Sequence, residues 1–303
     1  MDGTAKKHLL IFGLGYSGRA IAKAAVAAGY AVIATTRGNA APEPKVTRIP
    51  FDAAESAIAN ATHLLATAAP DENGDPVLAR YRDAIAAAPL LRWVGYLSTT
   101  GVYGDAGGAW VNEDSPVTPG SERTRRRVEA EVAWLGLTRP DDGAATAAKS
   151  ESGRVIAISI FRLAGIYGPG RSMFDDLRAG QGRRVVKPGH VFGRIHRDDI
   201  ALGVFAAMER EAASIFNFAD DEPAASADVV VEAARLLGVP PPPPVPYEEA
   251  VKTMSPMARS FWAEHRKVSA AKTKAALGIA WKYPDYRAGL AAILQEEAAQ
   301  RSA

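Results

Sequence analysis

Short apolar runs alternate with amphipathic, alanine-rich stretches along most of the chain. The apolar runs are typical of buried strands, and they cover His8–Phe12, Ala31–Thr35, Lys45–Phe51, His63–Ala68, Arg92–Ser98, Val155–Arg162 and Ser214–Phe218. The helical patterns cover Arg19–Ala28, Asp75–Ala88, Ser121–Leu135, Tyr247–Trp262, Ser269–Leu277 and Tyr286–Gln300. Strands that alternate with helices in this way predict an α/β protein with a mostly parallel sheet covered on both faces.

Two further stretches break this alternation. Thr138–Arg154 is polar and of low complexity, so an exposed loop is predicted there. Pro240–Pro244 is a run of prolines, which favours a stiff polyproline spacer over the surface. A role of this spacer in docking a partner is the alternative interpretation.

A glycine-rich turn, Gly13–Gly18, lies between the first predicted strand and the first predicted helix. Strand, glycine turn, helix and second strand within about 30 residues are typical of a dinucleotide-binding βαβ unit. In such a unit Gly13 allows the tight turn, Gly15 lets the backbone approach a pyrophosphate, and Gly18 lets helix and strand pack closely. The pyrophosphate would lie on N–H groups at the positive end of the helix dipole. The cofactor-binding residues predicted in this turn are Gly13, Gly15, Tyr16, Ser17 and Gly18.

The end of the second predicted strand bears on which dinucleotide is bound. An NAD site places an acidic residue about 20 residues after the turn to hold the ribose 2′-hydroxyl, whereas an NADP site accommodates a phosphate with arginine. Here Thr36 and Arg37 follow Thr35, and the next carboxylate is Glu43. Arg37 can meet a 2′-phosphate bidentately, and threonine hydroxyls can donate to it. NADP is therefore predicted over NAD, and an arginine on the surface of a loop is the alternative.

Composition narrows the function class. The net charge of +2 gives no argument for nucleic-acid or membrane partners. The chain has no cysteine, which excludes disulfides and thiolate chemistry and fits a cytoplasmic location. Its five histidines are scattered without metal-ligand spacing, so no metal site is predicted. No apolar stretch reaches the roughly 20 residues of a membrane helix.

Several segments together resemble the extended short-chain dehydrogenase/reductase superfamily, of the NAD-dependent epimerase/dehydratase type. The segments that carry the resemblance, in family order, are Leu97–Asp105, Phe161–Gly170, Arg194–Ala201, Phe216–Phe218 and Lys267–Pro284. The resemblance implies a Rossmann-type doubly wound parallel sheet with a smaller C-terminal substrate lobe. It implies a dinucleotide-binding domain at 1–165, to which 196–222 returns, and a lobe over most of 166–303. Family members often form homodimers through helices that include Ser121–Leu135, and the oligomeric state of this chain stays open.

The resemblance also implies individual site residues. Thr99 aligns with the catalytic serine or threonine of the family, whose hydroxyl would hold a substrate oxygen. Asp52, after the third strand, is placed as the adenine contact. Ala68 and Ala69, after the fourth strand, match small residues that let the cofactor backbone pass.

The chain departs from the family at the proton relay, which uses a tyrosine and a lysine four residues later. Arg123 stands at the tyrosine position and Arg127 at the lysine position, while Glu131 still matches the family's glutamate. Arginine titrates far too high to act as a general acid near neutral pH. Two guanidinium groups on one helical face suit a carboxylate or phosphate of a substrate, and a solvated basic face is the alternative.

Three function hypotheses follow. The first is an NADP-dependent oxidoreductase or epimerase-like enzyme that acts on an anionic small molecule, such as a nucleotide sugar. Thr99 would orient this substrate, and Arg123 and Arg127 would bind its anionic group. The second is a non-catalytic NADP(H)-binding regulatory or redox-sensing protein, suggested by the lost relay. The third is a vestigial nucleotide site in a protein that acts by association.

Overall fold

The computed structural model describes residues 7–36, 42–138, 147–149 and 155–302. Its strands are β1 His8–Phe12, β2 Ala31–Thr36, β3 Val46–Pro50, β4 His63–Ala66, β5 Trp93–Thr99, β6 Trp110–Val111, β7 Ala147–Lys149, β8 Val155–Leu163, β9 Gly165–Tyr167, β10 Arg184–Val186, β11 Arg194–His196, β12 Ser214–Phe218, β13 Pro244–Pro246 and β14 Lys267–Val268. Its α-helices are α1 Tyr16–Ala27, α2 Glu55–Asn60, α3 Pro76–Ala86, α4 Glu122–Leu135, α5 Met173–Arg178, α6 Arg197–Glu209, α7 Ser226–Leu237, α8 Tyr247–Ala250, α9 Pro256–Ala263, α10 Ala271–Leu277 and α11 Tyr286–Ser302.

Seven strands form the central parallel sheet in the order β12-β8-β5-β4-β1-β2-β3. The chain starts in the middle at β1, runs outward through β2 and β3, and then crosses back to β4 on the other side of β1. This order confirms the predicted doubly wound α/β fold. A doubly wound sheet has a crevice at the carboxyl ends of its strands where the order reverses, which here is between β1 and β4.

The chain divides into two compact units, and each has its own apolar core. The first unit comprises 1–99, 122–162 and 200–216, and the second comprises 100–121, 163–199 and 217–303. In the first unit, aromatic and aliphatic side chains from β1, β4, β5, β8, α3 and α4 pack together around buried residues such as Phe12, Tyr81 and Trp134. In the second unit, α5, α7 and α11 pack around Phe174, Val229 and Leu290.

Residues 100–121 belong to the second unit because the C-terminal part of the chain binds them. The Lys267 N–H donates to Ala109 O, the Ser269 N–H donates to Val111 O, and β6 pairs with β14 in parallel. The division into a dinucleotide domain and a substrate lobe, with the boundaries expected from the sequence, stays a prediction.

Three predicted elements differ from the observed ones. The helix expected over Tyr247–Trp262 is two helices, because Ser255 caps a new helix at Pro256 with its hydroxyl accepting from the Ala258 N–H. Within the loop expected over Thr138–Arg154, β7 is a strand that pairs antiparallel with β8; residues 139–146 and 150–154 of that loop lie outside the described residues.

The third difference concerns the proline run. Its last proline, Pro244, begins β13, which pairs in parallel with β10.

None of the helices within the described ranges has the length and apolar character needed to cross a lipid bilayer.

Candidate functional site

A cavity of about 360 Å³ lies in the first unit at the carboxyl ends of β1, β2 and β4. It therefore occupies the place where the strand order reverses, which is the ligand crevice of doubly wound folds. Its lining residues are Phe12, Gly13, Leu14, Gly15, Thr35, Thr36, Phe51, Thr67, Ala68, Ala69 and Pro76. Five of these were predicted from the sequence as cofactor-binding residues: Gly13, Gly15, Thr36, Ala68 and Ala69.

The glycine turn is held by hydrogen bonds to its two neighbouring strand ends. The Gly13 N–H donates to the Thr35 hydroxyl over 3.2 Å, and the Leu14 N–H donates to the Thr35 carbonyl over 3.2 Å. Directly after β4, the Thr67 hydroxyl donates to the Gly13 carbonyl over 2.7 Å. Thr35 and Thr67 thus fix the shape of the turn.

The glycines of the turn are required for different reasons. Gly13 has φ +99°, and a Cβ there would lie 2.6 Å from the Thr67 Oγ1. A Cβ at Gly18 would lie 2.5 Å from the Gly13 carbonyl oxygen, so helix and strand need a glycine at that position to pack. A Cβ at Gly15 would have no heavy atom within 4 Å, because Gly15 faces open space. This is the position where a dinucleotide pyrophosphate would approach the backbone.

Helix α1 starts directly after Gly15 and has no acidic residue in its first turn. The N-terminus of a helix attracts anions through its first N–H groups and the positive end of its dipole, and no acidic side chain in the first turn of α1 opposes this attraction. Tyr16 is half-buried and Ser17 is buried at the start of this helix, and neither side chain lines the cavity. The cavity, the bare Gly15 and the helix N-terminus together fit a bound dinucleotide.

The other predicted cofactor residues lie away from the cavity or outside the described residues. Asp52 is exposed and forms an ion pair with Arg80 at 3.4 Å, and its neighbour Phe51 lines the cavity instead. Arg37 lies outside the described residues. The contact of Asp52 with the adenine and that of Arg37 with the 2′-phosphate therefore stay predictions.

Phe51, Thr67 and Pro76 line the cavity but were not predicted to do so. Thr67 was hidden by the expectation that the strand continues to Ala68, whereas β4 ends at Ala66. The position of Pro76 at a helix start could have been predicted from the sequence, because Asp75-Pro76 is a typical helix start. In the structure the Asp75 carboxylate accepts from the Val77 and Leu78 N–H groups.

The residues expected to carry chemistry lie on β5 and α4. Thr99 is the last residue of β5 and is half-buried, while Arg123 is exposed in the first turn of α4. Arg127, one turn later, is half-buried. Its Nη1 donates to the Leu97 carbonyl over 2.7 Å and to the Tyr96 hydroxyl over 3.0 Å. Arg127 therefore ties α4 to β5, and any anion binding by its guanidinium has to use its other nitrogens.

A second, fully buried network ties the same helix to the sheet. The Ser98 hydroxyl donates to Glu131 over 2.5 Å. Arg162 on β8 forms a fork with the Glu131 carboxylate, with the shortest contact 2.7 Å from Nη2 to Oε2.

The Tyr96 hydroxyl accepts from Arg127, and burial raises the pKa of Tyr96 far above its usual value. Tyr96 is thus an unsuitable acid at neutral pH.

No metal site is formed in the described part of the chain, where no group of three or more His, Asp or Glu side chains could hold an ion. His196 is buried in the second unit between the Tyr167 and Tyr283 rings, and its Nδ1 accepts from the Asp198 N–H. Asp199 accepts from the Lys282 and Tyr283 N–H groups at 2.6 and 3.0 Å. Both side chains therefore hold the C-terminal part of the second unit together.

We predict that Gly15→Ala impairs dinucleotide binding but not stability, whereas Gly18→Ala impairs stability. The free energy of unfolding of Gly15→Ala stays within about 1 kcal/mol of that of wild type, because the backbone is extended there and the added methyl meets open space. It weakens dinucleotide binding about tenfold or more, because the methyl occupies the path of the pyrophosphate. Gly18→Ala is destabilised by about 1–3 kcal/mol through its clash with the Gly13 carbonyl.

Chemical denaturation and an NADPH titration of both variants check this prediction. Equal affinity of Gly15→Ala and wild type for NADPH would contradict the assignment of this glycine. Lower stability of Gly15→Ala than of Gly18→Ala would contradict the steric argument.

No protein-family model matches the chain. A solved structure of a functionally unknown conserved protein from Silicibacter pomeroyi shares 42% identity with it, covering 96% of this chain and 99% of that one, with a TM-score of 0.84. The human epimerase family protein SDR39U1, solved with NADPH, shares 19% identity over 95% of this chain and 99% of its own, with a TM-score of 0.73.

A curated protein is similar over part of its length. The 3-diazoavenalumate denitrifying reductase of a Streptomyces species is 32% identical in a 178-residue alignment that covers 53% of this chain. The chain spans 57% of the length of that curated relative.

Proposed function

Because the chain belongs to one family with the functionally unknown Silicibacter pomeroyi protein and has the fold of the extended short-chain dehydrogenase/reductase superfamily, we propose that it is an NADP-dependent oxidoreductase or epimerase-like enzyme. The observation that carries the proposal is the cavity at the carboxyl ends of β1, β2 and β4 beside the N-terminus of α1. The similarity to a curated reductase and to a protein solved with NADPH supports it.

The residues of the glycine turn would hold the pyrophosphate, and Ala68 and Ala69 would leave room for the cofactor beyond it. Thr36 and Arg37 would receive the 2′-phosphate, because a threonine hydroxyl and a guanidinium both donate to phosphate oxygens. When bound, the cofactor supplies or accepts a hydride at its nicotinamide ring. Asp52 would contact the adenine from its exposed position.

The substrate in this proposal is an anionic small molecule, of which a nucleotide sugar is an example. Thr99 would orient a substrate oxygen from the end of β5. The exposed Arg123 and the remaining nitrogens of Arg127 would bind the anionic group. The proton would come from water or from a side chain other than Arg123 and Arg127, since a guanidinium stays charged at neutral pH.

A fluorescence titration of the full chain with NADPH and NADH, repeated on Arg37→Ala, tests the cofactor. We expect NADPH to bind more tightly than NADH, and Arg37→Ala to weaken NADPH about tenfold while NADH changes little, because only NADPH carries the 2′-phosphate. Equal binding of both dinucleotides would overturn the preference for NADP. Absence of binding would leave a vestigial site and remove the enzyme proposal.

A second candidate is a non-catalytic NADP(H)-binding regulator. The hydrogen bonds that Arg127 donates to β5 favour it. The residue at the family's lysine position binds a strand carbonyl and a tyrosine hydroxyl. A regulator that senses the redox state of its cofactor has to bind NADP⁺ and NADPH with different affinities, because only a difference in binding free energy shifts a conformational equilibrium. Turnover of NADPH with any carbonyl or nucleotide-sugar substrate supports the enzyme. Unequal affinities, together with partner capture that follows the cofactor's redox state, support the regulator.

A further inference from the structure

An aromatic residue forms part of the wall of the cavity in the first unit. Phe51, directly after β3, lines the cavity together with Phe12 at the end of β1. The centroids of their rings are 5.8 Å apart, and the Tyr81 ring centroid lies 5.6 Å from that of Phe51. These two rings support Phe51 from the core, while Phe51 itself is only half-buried. Some of its apolar surface is therefore left for a ligand to cover, which is a favourable contact.

The backbone around Phe51 is fixed by Tyr81. The Tyr81 hydroxyl donates to the Phe51 carbonyl over 2.6 Å and accepts from the Ala54 N–H over 3.4 Å. These bonds hold the short turn Phe51–Ala53. Within it the Asp52 side chain is 79% exposed and paired with Arg80. The turn thus places Phe51 at the cavity and leaves the Asp52 carboxylate in solvent.

Phe51 lies in the half of the crevice that would take the adenosine part of a dinucleotide. In doubly wound folds each half of the sheet binds one mononucleotide, and the residue at the end of β2 contacts the adenosine ribose. Thr36, the last residue of β2, lines the cavity and is paired in register with Pro50. Phe51 therefore comes directly beside the ribose position, on the β3 side, where the base would extend.

We infer that Phe51 supplies most of the binding free energy of the dinucleotide's base, by packing its ring against that base. Asp52 contributes less, because a hydrogen bond to its exposed carboxylate competes with water and with Arg80. The inference rests on the proposed function, since it needs a dinucleotide in the cavity. It adds a residue that neither the glycine turn nor the family resemblance indicates.

Recognition by packing has a consequence for which bases the site accepts. None of the described residues that line the cavity has an ionisable side chain. An aromatic ring packs against any base, because every base has a π-face. A carboxylate, which only accepts hydrogen bonds, distinguishes the amino group of adenine from the oxygen of hypoxanthine. A dinucleotide with hypoxanthine should therefore bind nearly as well as one with adenine.

Three probes test the inference by isothermal titration calorimetry on the full chain. They are NADPH, its analogue with hypoxanthine in place of adenine, and reduced nicotinamide mononucleotide, which lacks the adenosine part. The variants are Phe51→Ala, the less disruptive Phe51→Leu, and Asp52→Asn. Phe261→Ala is the matched control, because Phe261 is a phenylalanine of the second unit that is 48% exposed. Thermal unfolding of each variant checks that it is folded.

We expect Phe51→Ala to weaken both dinucleotides about fivefold or more, and Phe51→Leu to weaken them about threefold or more. The mononucleotide should change less than about twofold in both variants, because it makes no contact with Phe51. Asp52→Asn should weaken NADPH less than Phe51→Ala does, and Phe261→Ala should leave all three affinities within about twofold of wild type. Wild type should bind the two dinucleotides within about threefold of each other.

Three results overturn the inference while NADPH binding by wild type leaves the proposed function intact. The first is an unchanged affinity of the Phe51 variants for both dinucleotides. The second is an equal loss for the dinucleotides and the mononucleotide, which would mean that Phe51 only shapes the cavity. The third is a loss in Asp52→Asn as large as that in Phe51→Ala. Absence of NADPH binding by wild type overturns both the inference and the proposed function.

Discussion

Arg162→Leu is expected to lower the free energy of unfolding by about 3–5 kcal/mol, because it leaves the Glu131 carboxylate buried without its cation. Both side chains are only 4% exposed, and two nitrogens of Arg162 donate to Glu131. The Ser98 hydroxyl remains as a donor to Glu131, but a single neutral donor does not replace a guanidinium. Urea denaturation followed by circular dichroism measures the change.

Arg235→Leu is the matched control for this prediction. Arg235 also forms a fork with a glutamate, Glu232, but its side chain is 66% exposed on α7. Exposed pairs of this kind contribute about 0–1 kcal/mol. A similar loss in both variants would show that burial does not determine the contribution of the Arg162–Glu131 pair.

When the pH falls from 7.5 to 5, the free energy of unfolding of His190→Phe is expected to rise by about 2 kcal/mol relative to that of wild type. His190 is buried against the Phe192, Trp262 and His265 rings, and within the described residues neither of its ring nitrogens has a hydrogen-bond partner. Burial lowers the pKa of His190 to about 4, with Lys187 and His265 lowering it further and Asp105 opposing them.

The sign follows from proton binding. Between pH 6.5 and 4 the unfolded chain binds a proton at His190 and the folded chain does not, so stability is lost as the pH falls through this window. Phenylalanine removes that loss. Denaturation of both proteins at the two pH values gives the difference, in which any pH-independent packing effect of the larger ring cancels. A difference that does not change with pH would contradict the prediction.

The pH profile of the wild type alone does not isolate this effect. His63 and His196 are also buried, and burial lowers the pKa of each to about 4, so they act in the same direction as His190. Burial raises the pKa of Asp199 to about 6 and that of Asp220 to about 8. The folded state therefore takes up protons at these two aspartates as the pH falls, which stabilises it and opposes the histidines.

Periodicity predicted the fold because the sheet of the first unit is made of short, continuous apolar strands. His8–Phe12 was predicted with the bounds that β1 has. Errors arose where a side chain, and not hydrophobicity, ends an element. Thr67 leaves the strand pattern because its hydroxyl binds the glycine turn, and Ser255 divides a helix because its hydroxyl caps a new one.

The candidate site was predicted in part. The glycines around the cavity follow from spacing, because backbone approach and close packing demand them, and Ala68 and Ala69 follow from the family resemblance. The position of Arg127 did not follow, since its guanidinium is held by acceptors on a neighbouring strand. Contacts between residues distant in sequence leave no local pattern, so only the folded chain reveals them.

The contacts of Arg127 limit which residues can replace it. Its Nη1 serves a strand carbonyl and a buried tyrosine hydroxyl at once, and its guanidinium lies 5.7 Å from the centre of the Tyr96 ring. A lysine presents a point charge without the planar fork that a guanidinium uses to hold several acceptors in fixed directions. Arg127→Lys, alone or together with Arg123→Tyr, would therefore weaken the joint between α4 and β5. A tyrosine–lysine pair at these two positions calls for compensating changes around Tyr96 as well.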